Sequence, residues 1–328
     1  MANRNAGRRQ QRRRRRRMKS SFKIGVLVFM LVICIGGYTG YIIYRNTILS
    51  NMYGGIESQD LQEDDSFTIT KGAVRYTVFD AGDGEAILIQ SGDTEALIDT
   101  GSKESAKSLC KKLKDRIGGS LDYLVLTGPG AGRTGGLKKI SEKFTIDTCI
   151  VGEMGDSAGD IDELIQNVGN RIDGDNMSYD IGEDATLFIL KPEVSSSEPG
   201  DRSLVTYFTF GKNGFVALSD AGKEEIARAF GSIDSCDVLV LARHGDDVNT
   251  SLPGSSYKFC IAAASNISGL PSDEVEEKIR ASFYTTGEVG DLEFISDGQN
   301  VKLENEDAIK EALKAAAEEE KEAENEPE

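Results

Sequence analysis

After residue 71 the apolar positions fall into short runs of period two, separated by turns rich in glycine and aspartate. "VRYTVFD", "EAILIQS" and "EALIDT" come first, with "GDG" and "SGD" between them, a spacing that predicts an antiparallel meander. The period then changes. Over residues 103–117, "KESAKSLCKKLKDRI", Ala106, Leu109, Cys110, Leu113 and Ile117 recur at helical intervals. A strand "LDYLVL", a glycine-rich loop "TGPGAGRTGG" at 127–136, a helix, the strand "DTCIV" and a helix near "IDELIQNV" follow. The second half alternates in the same way, with strands "ATLFIL", "SLVTYFTF" and "GFVALSD", a helix over "KEEIARAF", strands "DVLVLA" and "KFCIAAA", a helix over "SDEVEEKIRA", and short strands to "NVKLE". Strands in two batches with helices between them predict two sheets packed face to face and covered by helices.

The N-terminus has a different character. Residues 24–44, "IGVLVFMLVICIGGYTGYIIY", carry no charge and are long enough to cross a bilayer, for which about 20 apolar residues suffice. A cleaved secretory signal has a shorter apolar core and a small-residue cleavage site. Tyr38, Tyr41 and Tyr44 stand where an interfacial aromatic belt would form, so the pattern predicts an uncleaved signal anchor. Residues 1–23 hold "RRQQRRRRRRMKSSFK", whereas the far side soon reads "ESQDLQEDD". Positive charge stays inside, which places residues 1–23 in the cytoplasm and the main body outside the cell. The arginine run serves as a topology determinant, with anionic lipid head groups as a further partner. Residues 45–71 read as a juxtamembrane linker, 72–304 as the folded domain, and 305–328, rich in Ala, Glu and Lys, as a helix running into an acidic tail.

Charge sharpens this division. The 328-residue chain has 38 basic and 55 acidic side chains, and twelve of the basic ones, with no acid, precede or include Arg45. The remainder is therefore strongly acidic and would repel a phosphate backbone, which argues against nucleic acid as a partner of the domain. Nothing in the sequence names a protein partner. Its one histidine, His244, limits any His-rich metal site. The cysteines form no CxxC pair; Cys110, Cys149, Cys236 and Cys260 lie on strand-like or helix-like stretches and read as small buried hydrophobes, with disulfides the lesser reading.

The loop at 127–136 admits three readings. A phosphate-binding loop needs G-x-x-x-x-G-K-[ST] between strand and helix, and here Thr127 stands at the first glycine and Arg133 at the lysine. A plain turn of small residues is the second. The third comes from its neighbours. "VRYTVFDAGDGEAILIQSGDTEALIDTGS", a helix, and then "LDYLVLTGPGAGRTGGL" resemble the metallo-β-lactamase-like domain of ComEC-type DNA-internalisation proteins, with its Ile-Asp-Thr-Gly stretch and its Leu-Thr-His-Pro-His-Ala-Asp-His-x-Gly-Gly-Leu loop. "DRSLVTYFTFGKNGFVALSDAGKEE", "CDVLVLARHGDDVNTS" and "SNISGLPSDEVEEKI" continue the resemblance in the same order, over roughly residues 72–303.

That resemblance implies an αββα sandwich of the α/β (α+β) class and, in the family, a metal-dependent hydrolase. It also implies that the metal ligands are replaced. The family's histidines fall on Gly128, Gly130 and Arg133, its aspartate on Gly132, its His-His pair on Arg243 and His244, and a further histidine on Leu270. Asp220 and His244 remain as residual ligands, and Asp99 of "LIDTG" reads as structural. A hydrolytic zinc site needs about three protein ligands and an open position. The resulting expectation is a bacterial, membrane-anchored pseudoenzyme with no catalytic residue and no cofactor, used for binding or scaffolding. The alternatives are a zinc- or manganese-dependent hydrolase with non-standard ligands, nuclease-like by the resemblance, and an accessory of a DNA-uptake or envelope machine. A separate possibility is an anion site, in which bared loop amides and Arg133 with Arg243 hold phosphate, sulfate or carboxylate.

Overall fold

The computed structural model describes residues 72–193, 200–252, 257–263, 270–279, 281–311 and 313–314. The expected span at 24–44, the basic tail at 1–23 and the linker at 45–71 lie outside these residues; among the described residues no helix is long and apolar enough to cross a membrane. From Thr68 onward the chain forms one compact unit.

The first half opens with the expected meander, β1 (Val74–Val78), β2 (Ile87–Ser91) and β3 (Thr94–Ile98), each pair antiparallel. Alternation sorts the side chains: Val74, Tyr76, Val78, Ile87, Ile89, Ala96 and Ile98 face one core, whereas Leu88 and Leu97 face another. Helix α1 (Ala106–Ile117) buries Leu109, Leu113 and Ile117 on the second face and stops at Gly118, whose φ of 70° is left-handed. Lys114 and Arg116 occupy its last turn, where the helix dipole favours cations. Then come β4 (Ser120–Leu126), the short α2 (Ala131–Thr134), α3 (Leu137–Lys143), β5 (Thr145–Val151), α4 (Ala158–Leu164) and β6 (Asn170–Asp173). Strands β3 to β6 are parallel to one another.

The second half has the same plan. Strands β7 (Met177–Gly182), β8 (Ala185–Leu190), β9 (Val205–Phe210) and β10 (Asn213–Ala217) run antiparallel. After α5 (Lys223–Phe230) the parallel strand β11 (Val238–Val240) lies beside β10, followed by β12 (Phe259–Ala262), α6 (Asp273–Lys278) and β13 (Ser282–Thr285). A helical turn, α7 (Thr286–Val289), leads to β14 (Leu292–Ser296) and β15 (Val301–Leu303), which cross back to join the first sheet. The sheets are ordered β15-β14-β1-β2-β3-β4-β5-β6 and β13-β12-β11-β10-β9-β8-β7.

One core lies between the sheets, centred on Tyr76, Phe208, Phe215 and Phe294; α1, α3 and α4 cover the outer face of the first sheet, α5 and α6 that of the second. This is the αββα order that the motifs imply. Two edge strands escaped the pattern: "NRID" and "MSYDIG" are largely solvent-exposed, so they lack the apolar alternation by which a strand is recognised. The helix expected near 161–168 sits a few residues earlier, and α2 lies inside the glycine loop, where glycine hides helical spacing. Of the five cysteines, the four among the described residues are free; Cys149, Cys236 and Cys260 are buried in apolar cores and Cys110 is half-buried. Burial pushes the Cys149 thiol up to about 12 and, reinforced by Asp237, does the same at Cys236, so both stay protonated and inert.

Candidate functional site

In open α/β sheets, ligands meet the carboxyl ends of the strands where the connections diverge. Here that edge gathers the turn before β2, the turn after β3, the loop after β4, and the turns after β10 and β11. Five non-glycine residues have left-handed φ among the described residues, and four of them, Asp99, Ser219, Arg243 and His244, sit at this edge. Backbone strain of this kind concentrates at functional sites.

The centre is a side chain. Arg133 is 1% exposed, yet it carries a charge that burial would expel unless it is compensated. Its Nη2 donates to Asp220 Oδ1 at 2.7 Å, its Nη1 lies 2.9 Å from Glu85 Oε2, and the same nitrogen is 3.8 Å from Asp99 Oδ2. The Glu85 contact is one of charge alone, since its angles fall short of a hydrogen bond. Burial alone would lower the Arg133 pKa, but Asp220, Glu85 and Asp99 together raise it well above the usual guanidinium value.

The loops are stitched around it. Thr100 donates from both its amide and its hydroxyl to the Arg133 carbonyl, at 2.7 and 2.9 Å. Glu85 N–H donates to the Gly132 carbonyl at 3.0 Å, and Thr127 donates to Asp99 from its amide (2.8 Å) and its hydroxyl (2.6 Å). Asp99 is thus held by the loop that carries Arg133. Arg243 donates from Nε to the Asp220 carbonyl at 3.1 Å and pairs with Asp201. His244 Nδ1 donates to the Ala263 carbonyl. Leu270 is half-buried, and the chain beyond it returns to the same edge, where Ser272 N–H donates to the Gly245 carbonyl.

The two best-placed acids titrate in opposite directions. For Asp220, burial would raise the pKa, but the charge and hydrogen bond of Arg133, with His244 adding to them, bring it below the usual carboxylate value. For Asp99, burial dominates; Arg133 opposes it at longer range, Glu85 adds to it, and the carboxyl is pushed up to about 8. Asp99 therefore keeps its proton in the folded chain where the unfolded chain, with an ordinary value of about 3.9, has released it. The folded state binds more protons between those values, so this group's contribution to stability falls as pH rises through the window. Asp220 acts the other way, losing stability only as pH falls through its lowered value. Urea midpoints are expected to decline from pH 5 to pH 9, and Asp99→Asn to flatten that decline. An unchanged slope in Asp99→Asn assigns the titration to another group.

The geometry also tests whether these residues fit a zinc or manganese ion. A Cβ at Gly130 would stand 3.1 Å from Asp220 Oδ2; at Gly132 it would stand 2.5 Å from the Asp83 carbonyl and 3.0 Å from Gly84 Cα; at Gly128 it would strike the Ser203 hydroxyl. The glycines are close-packed positions with no donor to offer, and a guanidinium lies where three carboxylates converge. Among the described residues no group of three or more His, Cys, Asp or Glu is arranged to hold a metal ion. The residues present do not fit one. The anion-site expectation meets a similar difficulty. Arg133 and Arg243 do converge, but on Asp220, an anion of the chain itself, and Arg133 does not face solvent.

Sequence reasoning missed Glu85, whose setting in "GDGEAI" looks like a surface turn but which is 0% exposed. It missed Asp201 as the partner of Arg243 as well. A signal was available for the first: a charged residue in a loop of glycines needs compensating acids, and Glu85 and Asp99 are those nearest to it in the adjoining motifs.

No family profile matches the chain, and no curated protein matches it. Solved structures that resemble it carry the metallo-β-lactamase fold. The YhfI protein of Bacillus subtilis is 12% identical over 64% of this chain and 96% of its own, with a TM-score of 0.46. Tm1679, described as a metal-dependent hydrolase of the β-lactamase superfamily, is 10% identical over 65% of this chain and 95% of its own, with a TM-score of 0.45. MEM-A1, a subclass B3 metallo-β-lactamase from a soil metagenome library, is 14% identical over 55% of this chain and 80% of its own, with a TM-score of 0.39.

Proposed function

We propose that the chain is a membrane-anchored pseudoenzyme of the ComEC-like metallo-β-lactamase type, displayed outside a bacterial cell as a binding or scaffolding module. The observation that carries this reading is Arg133, a cation supplied by the chain at the point where Glu85, Asp99 and Asp220 meet. A guanidinium there pairs with Glu85 and Asp220, lies beside Asp99 and holds four loops together, which is the structural part of what a metal ion does. It cannot lower the pKa of a bound water or expand its coordination, which is the catalytic part. Of the other positions at which the family resemblance would put ligands, Gly128, Gly130, Gly132 and Leu270 offer no donor, and His244 spends its Nδ1 on the Ala263 carbonyl. The uncharged stretch at 24–44 between a basic and an acidic flank supports the anchor and its orientation, and the acidic balance of the body argues against direct contact with DNA.

The test is metal content. The full chain, expressed in medium supplemented with zinc and manganese and purified without chelators, is expected to hold far less than one equivalent of either metal by elemental analysis. One or two tightly held equivalents per chain would instead support the hydrolase reading.

A further inference from the structure

Beyond the site, one face departs from the charge of the whole. The body has about twice as many acids as bases, and Lys112, Lys191, Lys258, Lys278 and Lys310 each pair with one of those acids. Helices α1 and α3, packed side by side on the outer face of the first sheet, are different. Lys107, Lys111, Lys114, Lys139 and Lys143 are all exposed, and among the described residues none of the five makes an ion pair. They rim a groove of about 440 Å³ that contains a single acid, Glu142. Phe144 and the half-buried Cys110 form its floor, and the Gly118–Gly119 turn closes its end. Burial raises the Cys110 thiol pKa, Lys139 and Lys143 oppose the shift, and Glu142 adds to it.

The groove's position within the fold gives it a direction. Strand β1 is antiparallel to β2, β2 to β3, and β3 is parallel to β4, so Val74 and Ser120 begin at the same edge of the sheet. The chain therefore enters the described domain at the end where Gly118–Gly119 lies, opposite the end that carries Arg133. Glu304 N–H donates to the Glu293 carbonyl, opposite Thr77 and near the Arg133 end.

We infer that this lysine-rimmed groove is a docking face for an anionic phospholipid surface, orienting the domain with its basic helices toward the membrane and the Arg133 edge away from it. The inference rests on the anchored reading of the chain for its physiological setting, not for its test. Each lysine near an anionic surface strengthens association several-fold, and five together offset the repulsion of an acidic body within a Debye length.

Residues 68–328, which form a compact unit without the anchor, are to be co-sedimented with vesicles of phosphatidylglycerol and phosphatidylcholine, and with vesicles of phosphatidylcholine alone. Binding is expected only to the first, and to weaken with added salt. The combined substitution Lys111→Glu, Lys114→Glu, Lys143→Glu is expected to weaken it by about 100-fold or more, whereas Lys223→Glu on α5 leaves it unchanged. Failure to bind anionic vesicles overturns the inference, as does binding that survives the triple substitution. Binding to inorganic polyphosphate with indifference to vesicles overturns it too, and assigns the groove to a soluble polyanion. Failure of the anchor itself reads out separately, as release of the full chain from membranes by alkaline carbonate.

Discussion

Replacing Arg133 with methionine is expected to lower the unfolding free energy of the domain by about 3–5 kcal/mol, the usual cost of removing one partner from a buried ion pair. Methionine matches the volume of the side-chain stem, so the loss reports charge more than cavity. Glu85 and Asp99 are both 0% exposed, and without Arg133 neither keeps a cation within reach. Asp99 already holds its proton up to about pH 8, and ionising it above that without the guanidinium makes the penalty largest at alkaline pH. Arg133→Lys is expected to recover only part of the loss, because one ammonium cannot reproduce a fork whose two nitrogens contact Glu85 and Asp220 separately. Urea denaturation at pH 6 and pH 8.5 measures both effects. A loss below about 1 kcal/mol would mean that the cluster is compensated in some other way.

Gly132→Ala carries the second large effect. A methyl group at that position meets the Asp83 carbonyl at 2.5 Å and Gly84 Cα at 3.0 Å, and both are backbone atoms that cannot rotate aside. Overpacking of this kind costs about 1–3 kcal/mol, more than the gain from alanine's higher helix propensity inside α2. Gly128→Ala is the matched comparison. Its new methyl meets the hydroxyl of Ser203, a side chain with other rotamers, so the cost is expected to be smaller. Thermal melts of the two variants separate these cases, and equal costs would contradict the geometry. The same contacts have a consequence for any attempt to rebuild the family's ligand loop. An aspartate at position 132 has no room, so restoring histidines at 128 and 130 alone is expected to yield no tight metal site.

Much of the fold was legible because the strands that matter are buried on one or both faces. Period-two alternation marked β1 to β3, and the five resembling motifs fixed the αββα order through their sequence and spacing. The strands that escaped, β6 and β7, are edge strands whose outward residues are polar, so burial left no trace in them. The site was legible only as a set of absences. Gly128, Gly130 and Gly132 announced the loss of donors, but not that the backbone of Asp83 and Gly84 fills the space beside Gly132. Arg133 was recognised as a cation in the place of a ligand, yet its exposure could not be read from the loop. That depended on Glu85 and Asp220, which lie 48 and 87 residues away: Glu85 is brought beside Arg133 by the pairing of β2, β3 and β4 within the first sheet, and Asp220 only when the second sheet packs against it. Period and propensity speak to neighbours along the chain, whereas a buried charge is settled by partners across it.

The central claim is that Arg133 serves as the resident cation of this edge, and a double-mutant cycle on Arg133 and Glu85 tests it most directly. Unfolding free energies of the parent domain, Arg133→Met, Glu85→Gln and the double variant are to be measured at one pH. If the two side chains compensate each other, the double variant loses less than the sum of the singles, by about 1–3 kcal/mol. Additivity to within about 0.5 kcal/mol would contradict the account, since it would mean that Arg133 and Glu85 do not depend on one another.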